Sequence, residues 1–518
     1  MPYGYNGRIL HADLTSRRLT VEEPTEAFYR KYLGGQGIGM YYLLRENPAG
    51  VDPLSPDSVM AITLSVITGA PVSGQSRVMV NAKSPLTGTI GDAQAGGFWP
   101  AEAKAAGFDA IIVKGKAEKP VYLWLHDGEA ELRDAAHLWG AVTGDVDAAI
   151  REELGDPKIQ VMQIGPAGEK LAPYACIINM ANRANGRTGM GAVLGSKNLK
   201  AIAVRGTKKP PVADRKALSE LAKWGAKNFP DSDIYEMGLH GTADVLSYQH
   251  EDGGLPTRNW ASGVFEGYES LSGVTMTNTI LKERDTCYAC VVRCKRVVEI
   301  TEGPYRVDPV YGGPEYETLA TFGSYCGISD LAAVAKANQI CNMYGLDTIT
   351  TGAVIAWAMD CFEHGILSVE DTGGIELCFG NAEAMVTMTD LIAKREGLGD
   401  LLAGGMVQAA KVLGPEAEAL VTAVKANPLP AHMPEVKRSL ALIYAVNPYG
   451  ADHQSHEHDP GYGDYPDRMA ELGLVNPQPD DVLNEEKVRF SMVTQHFYSL
   501  MNTIGVCQFV WGPAWQLY

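Results

Sequence analysis

Short apolar runs separated by glycine and proline turns fill roughly the first 200 residues of the chain. Runs of this length that are rich in β-branched residues are typical of β-strands. The eight runs are GRILHADL, RLTVEE, SVMAITLSV, SRVMVNA, DAIIVKG, VYLWLH, IQVMQIG and KAIAVRG. The pattern ends at residues 205–215, RGTKKPPVADR, because two prolines and a basic run do not continue a strand. We therefore predict a β-rich N-terminal domain at residues 1–210.

A helical periodicity follows this domain. SDLAAVAKANQICNMYG and TTGAVIAWAMDCFEHG place apolar residues three and four positions apart and end at glycine. After LPAHMPEVKRSLALIYAV, a loop rich in Gly, His, Asp and Tyr is predicted at about residues 446–466. The expected fold class is α+β, in which the β-rich domain precedes mainly α-helical domains at residues 211–420 and 421–518.

Composition and charge narrow the function classes. The 518 residues are 46% hydrophobic and 20% charged, which is ordinary for a globular protein of several domains. A formal charge of −18 argues against nucleic acid as a partner, because phosphate would be repelled. The N-terminus lacks a basic region followed by an apolar run, and no run approaches the roughly 20 apolar residues of a membrane helix. We expect a cytoplasmic protein without a membrane partner.

The cysteines give the sharpest motif. DTCYACVVRC places Cys287, Cys290 and Cys294 in a C-x2-C-x3-C array. A [4Fe-4S] cluster needs four thiolates and commonly takes three from one compact run. Cys507, in NTIGVCQF, is the candidate for the fourth ligand. Structural zinc also accepts four thiolates but usually pairs C-x2-C with a second close pair, so zinc and a metal-free site are the weaker alternatives.

Two glycine-rich segments are candidates for anion binding. NRANGRTGMGAVLGSKNLKAI contains Arg183 and Gly186, and glycines let backbone N–H groups approach a phosphate that arginines can bind bidentately. A plain glycine-rich turn explains this segment equally well. The second segment, SGQSRVMVNAKSPLTGTIGDAQAGGFWP, contains Arg77 and Gln94. On local evidence the second segment is more typical of two tight turns between strands.

With these motifs in view, the sequence resembles the aldehyde ferredoxin oxidoreductase family along its whole length. The matching stretches are YNGRILHADLT, KYLGGQGIG, KSPLTG, AGGFWP, AAGFDAIIVKG, GRTGMGAVLGSKNLKAIAVRGTK, the C-x2-C-x3-C array, GPEYETLATFGS, YGLDTITTG and NTIGVCQF. Such a series in one order is highly specific. Family members usually continue well past the fourth cysteine, so the resemblance implies a shortened third domain or a truncated chain.

The resemblance implies a tungsten ion, occasionally molybdenum, held by the dithiolene sulfurs of two pterin cofactors (a bis-pterin site). The protein then supplies positioning and electrostatics. By motif position, Arg77, Gln94, Arg183 and Ala184 would contact the pterin phosphates or a bridging Mg²⁺, which prefers phosphate oxygens. The expected cofactor-binding residues in these two motifs are Arg77, Gln94, Ala95, Gly96, Arg183, Ala184 and Gly186. The usual family residue at position 94 is asparagine.

Two DxxGL-type segments of the family accept hydrogen bonds from the pterin rings. They correspond here to NMYGLD and NTIGVC, so Asn342 and Asn502 replace the leading acids. An amide still accepts such a bond but loses charge assistance, at a cost of about 1 kcal/mol per contact. Asp347 and Val506 lie in the same turns and complete the expected cofactor-binding set.

The resemblance also implies two catalytic residues, Glu317 in EYET and His453 in the later loop. A carboxylate in a dry site can accept a proton, and histidine titrates near neutrality. The implied reaction is oxidation of an aldehyde to a carboxylic acid, in which Glu317 removes a proton and His453 orients the oxygen. Electrons would pass through the cluster to ferredoxin or a ferredoxin-like subunit. Local sequence leaves one rival for His453, which is zinc held together with His456 and His458.

Two other functions stay open at this point. A related tungsten oxidoreductase could act on a thioester or hydroxyacid, although glutamate at position 317 favours aldehydes, since thioester-reducing relatives carry cysteine there. A cluster-bearing electron-transfer or scaffold subunit could lack the pterin altogether. Family members are often homodimers or work with small iron-sulfur and flavin subunits, and a homodimer is therefore one expected assembly.

Overall fold

Two six-stranded sheets form the N-terminal part of the protein, in a computed structural model that describes residues 3–518. The strands are β1 (Ile9–Asp13), β2 (Arg18–Glu22), β3 (Met60–Thr63), β4 (Val78–Lys83), β5 (Ile90–Ala95), β6 (Ala110–Lys114), β7 (Val121–His126), β8 (Glu129–Asp134), β9 (Gln160–Ile164), β10 (Ile177–Asn179), β11 (Arg183–Asn185) and β12 (Leu199–Arg205). The first sheet has the order β2-β1-β6-β3-β4-β5 and the second β11-β10-β9-β12-β7-β8. Both sheets contribute to one buried core, which contains Val80, Trp99, Leu123 and Ile202.

All eight strands predicted from the apolar runs are present, as β1, β2, β3, β4, β6, β7, β9 and β12. Four further strands, β5, β8, β10 and β11, were not predicted. Strand β5 reads IGDAQA and β11 is only three residues long, so neither has the apolar signature of a strand. Both are edge strands of their sheets. These two edge strands carry several of the expected cofactor-binding residues, namely Gln94, Ala95, Arg183 and Ala184.

Helices dominate the rest of the chain, which confirms the α+β fold class. The helices of the N-terminal part are α1 (Glu26–Tyr32), α2 (Gly35–Glu46), α3 (Trp99–Ala105), α4 (Thr143–Leu154), α5 (Pro166–Glu169) and α6 (Met190–Ser196). Those that follow are α7 (Arg215–Asn228), α8 (Tyr235–His240), α9 (Val245–Glu251), α10 (Tyr268–Leu271), α11 (Gly273–Thr279), α12 (Tyr316–Phe322), α13 (Leu331–Tyr344), α14 (Thr348–Glu363), α15 (Ala382–Lys394), α16 (Leu398–Leu402), α17 (Met406–Leu413), α18 (Pro415–Ala419), α19 (Arg438–Val446), α20 (Asp459–Asp464), α21 (Pro466–Glu471), α22 (Glu485–Ile504) and α23 (Gln508–Trp511). Two short hairpins, β13 (Leu281–Asp285) with β14 (Lys295–Val298) and β15 (Ala423–Val424) with β16 (Asn427–Pro428), lie among them.

The two helices predicted from periodicity are confirmed as α13 and α14. Helix α14 is buried along almost its whole length, and Asp347 caps its N-terminus. No helix within residues 3–518 is long and apolar enough to cross a membrane.

The prediction of one continuous loop over residues 446–466 is wrong in its second half, where α20 lies. Pro460 occupies the first turn of α20, a position that suits its fixed φ and missing N–H. Asp459 is fully buried and forms an ion pair with the buried Lys487. It also accepts hydrogen bonds from Ser439. These contacts join residues that are far apart in the sequence. The local pattern, which is rich in glycine and histidine, therefore could not predict helix α20.

Candidate functional site

The four predicted cysteine ligands meet in one cavity. Cys287, Cys290 and Cys294 lie in the loop that joins β13 to β14, and Cys507 immediately precedes α23. The four side chains line a single cavity together with Arg77. The backbone N–H of Cys507 donates a hydrogen bond of 2.6 Å to the carbonyl of Gly74. The turn around residue 74 therefore connects the fourth cysteine with the other three.

Glycines at the end of β5 let the backbone approach the cysteine loop. The N–H of Gly97 donates a hydrogen bond of 3.1 Å to Sγ of Cys287. A Cβ atom added at Gly96 would lie only 2.6 Å from the same sulfur, so a side chain there would force the loop away. The Gly97 carbonyl in turn accepts hydrogen bonds from Ser76 Oγ at 2.7 Å and from the Tyr288 N–H at 3.2 Å.

The spacing of the four sulfurs bears on the choice between an iron-sulfur cluster and a single zinc ion. Thiolates around one tetrahedral zinc, each about 2.3 Å from the metal, lie about 3.8 Å apart. Among residues 3–518, one group of three possible metal ligands has all its ligand atoms within 4.8 Å of one another. That group is Glu317, His432 and His453, and it contains none of the four cysteines. No three of the cysteine sulfurs therefore lie as close together as a single zinc ion requires, and a [4Fe-4S] cluster in this cavity remains a prediction.

Burial keeps the thiols of Cys290, Cys294 and Cys507 neutral until a metal binds. It raises the pKa of the Cys290 thiol to about 12, and the neighbouring Cys287 raises this pKa further. Burial also raises the pKa values of Cys294 and Cys507. Metal ligation needs thiolates, so loading of this cavity must release protons.

The expected phosphate-binding residues gather beside the cysteine cavity. A guanidinium nitrogen of Arg77 lies 3.3 Å from Oε1 of Gln94 on β5. Asn179 of β10 donates a hydrogen bond of 3.2 Å to the carbonyl of Gly96. Asn185 of β11 donates one of 2.9 Å to the carbonyl of Ala93. The edges of the two sheets thus bring Gln94, Ala95 and Gly96 close to Arg183 and Ala184, which lie on β11.

Arg183 faces the cysteine loop. Its side chain is buried and forms an ion pair of 2.9 Å with Asp285 and a hydrogen bond of 3.1 Å with the carbonyl of Thr286. A third hydrogen bond joins it to Asn182. Burial lowers the pKa of Arg183, but Cys287 and Asp285 outweigh that effect and raise it. Arg183 therefore ties the β11 edge to the cluster cavity, and contact with a phosphate remains a prediction.

Several buried polar atoms around these segments have no protein partner in the described part of the chain. They are Nε of Arg77, Oδ1 of Asn179, Oδ1 of Asn185 and Nε of Arg187. Buried polar groups without a partner are uncommon, and each one calls for an explanation. A cofactor that presents phosphates and heterocyclic donors would satisfy such atoms. The residues present at this edge therefore fit a bound pterin.

The DxxGL-type segments occupy two different positions. Asp347 caps α14 by accepting the N–H groups of Ile349 at 3.2 Å and Thr350 at 3.1 Å. Its Oδ1 is also the nearest atom, at 3.7 Å, to a Cβ added at Gly186. Asp347 and Gly186 therefore lie next to each other, and a cofactor contact of either residue remains a prediction.

The remaining members of these segments have partners within the protein. The side-chain amide of Asn342 donates a hydrogen bond of 2.9 Å to the carbonyl of Tyr311. The carbonyl of Asn502 lies 2.2 Å from the position of a Cβ added at Gly35, so α22 and α2 approach closely there. Val506 is buried in an apolar cluster with Tyr498. Cofactor contacts of Asn342, Asn502 and Val506 remain predictions.

The two expected catalytic residues lie side by side. Glu317 is in the first turn of α12, and its Oε1 is 3.2 Å from Nε2 of His453. Nε2 of His432 lies 3.4 Å from the same oxygen. The backbone N–H of Ala431 donates a hydrogen bond of 3.0 Å to Oε2. The rings of His432 and His453 stack with centroids 5.0 Å apart, so two imidazoles and one N–H hold the carboxylate in place.

His432 was missed in the sequence. It lies in LPAHMP, between two prolines, without any spacing that relates it to Glu317. Burial lowers the pKa of His432 well below its usual value, and Lys437 and His453 lower it further. His432 is therefore neutral at pH 7. The Nδ1 atoms of His432 and His453 are buried and find no partner among the described residues.

A zinc site made of His453, His456 and His458 is not formed. Nε2 of His456 lies 3.1 Å from Oγ of Ser439, and Nε2 of His458 lies 2.8 Å from the carbonyl of His453. In the part of the chain that the structure describes, the one set of three possible ligand atoms within 4.8 Å of one another belongs to Glu317, His432 and His453.

Two family models together match almost the whole chain. The model described as the N-terminal domain of aldehyde ferredoxin oxidoreductase matches residues 9–206, and the model of its domains 2 and 3 matches residues 220–518. The chain is 39% identical over 517 residues to a tungsten-containing aldehyde ferredoxin oxidoreductase of Pyrococcus abyssi. This match covers 98% of the chain and 82% of that relative. The chain is also 32% identical over 477 residues to the WOR-like subunit of an aliphatic sulfonate oxidoreductase of Pyrococcus furiosus. This second match covers 88% of the chain and 75% of that relative.

A solved structure shares the fold. The active-site complex BamBC of benzoyl coenzyme A reductase, in complex with 1,5-dienoyl-CoA, contains a chain that superimposes with a TM-score of 0.82. The match covers 98% of the present chain and 82% of the other, at 24% sequence identity.

Proposed function

Because the chain belongs to the aldehyde ferredoxin oxidoreductase family, we propose that it oxidises aldehydes to carboxylic acids and passes the electrons through a [4Fe-4S] cluster to ferredoxin or a ferredoxin-like protein. Family membership makes it an oxidoreductase of a tungsten-containing class. The observation that supports the aldehyde reaction best is the largely enclosed carboxylate of Glu317, whose side chain is 13% exposed and lies against His432, His453 and the N–H of Ala431.

The residues that would hold the cofactors are already grouped. Cys287, Cys290, Cys294 and Cys507 would bind the cluster. Arg77, together with residues 94–96 and 183–187, would hold the pterin phosphates and a bridging Mg²⁺. A bound tungsten-pterin centre would supply the acceptor for two electrons, and the protein would supply binding, orientation and a dry environment.

Glu317 is placed to accept a proton. Oxidation of an aldehyde with water gives the carboxylic acid, two electrons and two protons. One of these protons can be taken by a free oxygen lone pair of Glu317, whose orientation is fixed by the Ala431 N–H and the two imidazoles. Because His432 is neutral, it adds no positive charge beside the carboxylate, and its Nε2, 3.4 Å from Oε1 of Glu317, would help to orient that group.

A second candidate function is suggested by one relative. The WOR-like subunit named for aliphatic sulfonates shows that a chain 32% identical to this one can belong to an oxidoreductase with another substrate. The same cofactor residues and Glu317 would then act on a different carbon centre. A panel of aldehydes, sulfonates, thioesters and hydroxyacids, assayed with benzyl viologen as acceptor, separates the two candidates.

The decisive experiment compares metal content with turnover. We expect purified protein to contain tungsten or molybdenum and about four irons per chain, and to reduce benzyl viologen when an aldehyde is added. Glu317→Gln should lower kcat by about 100-fold or more, because a positioned proton acceptor typically contributes that factor. Its tungsten and iron contents should equal those of the wild type.

Exposed Glu370 provides the control, and Glu370→Gln should leave the turnover number unchanged. Full activity in Glu317→Gln would remove this residue from the mechanism. Iron without tungsten or molybdenum in the wild type would instead indicate an electron-transfer or scaffold subunit.

A further inference from the structure

Helix α7 carries positive charge on a chain whose formal charge is −18. It has four basic side chains, Arg215, Lys216, Lys223 and Lys227, and one acidic side chain, Glu220. All five are exposed. Lys216, Lys223 and Lys227 are separated by seven and four residues, so they share one face of the helix. Glu220 lies on the same face, with its Oε1 3.8 Å from Nζ of Lys216, so the three lysines and this glutamate leave the face with two net positive charges on an acidic protein.

The opposite face of α7 packs beside the cysteine cavity. Phe229, directly after the helix, belongs to the apolar cluster that includes Cys290 and Cys507. A Cβ added at Gly225 would lie 2.3 Å from the hydroxyl oxygen of Tyr518, so α7 and Tyr518 are in close contact. The position of the positive face is thus fixed by the packing around the cysteines.

Aromatic side chains connect this cavity with the surface of α7. The backbone N–H of Trp511 donates a hydrogen bond of 3.0 Å to the carbonyl of Cys507, which places the Trp511 side chain next to the cavity. The Trp511 ring stacks on Tyr518 with centroids 4.7 Å apart, and Tyr518 lies 6.0 Å from Trp224. Trp224 is 48% exposed. It forms an apolar centre next to Lys223, as in interfaces where a partly exposed tryptophan is surrounded by polar groups.

Two further exposed cations lie on or next to the cysteine loop. Nζ of Lys209 lies 3.3 Å from the hydroxyl of Tyr288, the residue that follows Cys287. Arg293 lies between Cys290 and Cys294, and its side chain donates to the carbonyl of Arg284. Both cations are exposed. We call the surface formed by Lys209, Arg215, Lys216, Lys223, Trp224, Lys227 and Arg293 the basic face.

We propose that the basic face is the docking surface for an acidic, ferredoxin-like one-electron carrier. This inference rests on the proposed function, because it names the surface through which that reaction's electrons leave. In each encounter one electron leaves the reduced cluster and enters the oxidised carrier, and no bond or proton changes. Opposite charges on two surfaces steer their encounter and set its orientation. A chain with net negative charge would otherwise repel an acidic carrier.

The test measures electron transfer without the aldehyde reaction. The protein is reduced with dithionite, freed of excess reductant, and mixed in a stopped-flow instrument with an oxidised acidic bacterial-type ferredoxin. We expect Lys223→Glu/Lys227→Glu to lower the second-order rate constant by about tenfold or more at low ionic strength. The wild-type rate should fall steeply as salt is added, while the variant's rate should depend on salt only weakly.

Matched variants separate a docking role from a general loss of charge or folding. Lys158→Glu/Lys411→Glu makes the same charge change at exposed positions outside the basic face and should keep the wild-type rate. Trp224→Ala should lower the rate without changing its salt dependence. Iron content and kcat with saturating benzyl viologen should be equal in all variants.

Equal rates for Lys223→Glu/Lys227→Glu and the wild type would overturn the docking surface. The electron comes from dithionite, so this result is independent of the substrate. Wild-type protein that reduces ferredoxin after dithionite treatment but never with an aldehyde would refute the proposed reaction and leave the docking surface standing.

Discussion

Burial sets the protonation of the histidines around Glu317. It lowers the pKa of His456 to about 3 and lowers those of His432 and His458 well below the usual value. Each of these imidazoles is neutral at pH 7 and serves as a hydrogen-bonding group. Burial in a low dielectric disfavours the charged form, which explains why three histidines can lie so close together.

His456 should make the protein sensitive to acid. Its folded pKa of about 3 is below the unfolded value near 6.5, so below pH 6.5 the unfolded state binds a proton that the native state rejects. The contribution of His456 to the free energy of unfolding is full above pH 6.5. It falls by about 1.4 kcal/mol for each pH unit of acidification between those two values.

His456→Gln should therefore show a smaller fall in Tm between pH 7 and pH 5 than the wild type. Its Tm at pH 7 should be slightly lower, because the contact with Ser439 is altered. The exposed His496 serves as the control, and His496→Gln should follow the wild-type curve. Parallel pH curves for His456→Gln and the wild type would contradict this account.

The sequence predicted some site residues and not others for physical reasons. Cys287, Cys290 and Cys294 have a spacing that carries chemical meaning by itself, and motif position provided Glu317 and His453. His432 has neither property. It joins the site only because the chain returns to α12 after more than a hundred residues, as the contact between Glu317 and Ala431 shows.

Among the elements, apolar strands and amphipathic helices were predictable, and polar edge strands were not. Strand β5 was missed because its buried positions are Gly91, Ala93 and Ala95, which are too small to give an apolar signal, and β11 was missed because it has only three residues. Helix α14 was predicted from its apolar run and its following glycine. Its start is explained by Asp347, which caps the helix and also faces Gly186.

Two substitutions at Asp347 should separate capping from cofactor binding. Asp347→Ala removes the acceptor for the N–H groups of Ile349 and Thr350 and should lower the free energy of unfolding by about 1 kcal/mol. Asp347→Asn keeps a cap and should leave Tm nearly unchanged. If Asp347 also contacts a pterin, Asp347→Asn should lower the tungsten content per chain, measured by elemental analysis.

Asp330 caps α13 in the same way and provides the control. Asp330→Asn should leave both Tm and tungsten content unchanged. Normal tungsten content in Asp347→Asn would restrict Asp347 to a structural role.

At the level of the complete chain, the cysteine cavity joins three distant segments. The β13–β14 loop supplies three thiols, the segment before α23 supplies the fourth, and the turns at Gly74 and Gly97 of the N-terminal part contact both. The same cavity borders the edge where Arg77 and Gln94 meet. The position of the proposed cluster therefore couples the cofactor edge of the sheets to the helical part of the molecule.

Loss of the fourth thiol should disconnect these segments. Cys507→Ser should reduce the iron content below the wild-type value of about four per chain and change the electron paramagnetic resonance spectrum of the reduced protein. Tm should fall as well, because metal binding stabilises only the folded arrangement that brings the ligands together. Cys378→Ser is the matched control, since Cys378 is a partly buried free thiol outside the cavity, and it should keep full iron content. Unchanged iron in Cys507→Ser, or zinc in place of iron in the wild type, would show that the four cysteines do not share an iron-sulfur cluster.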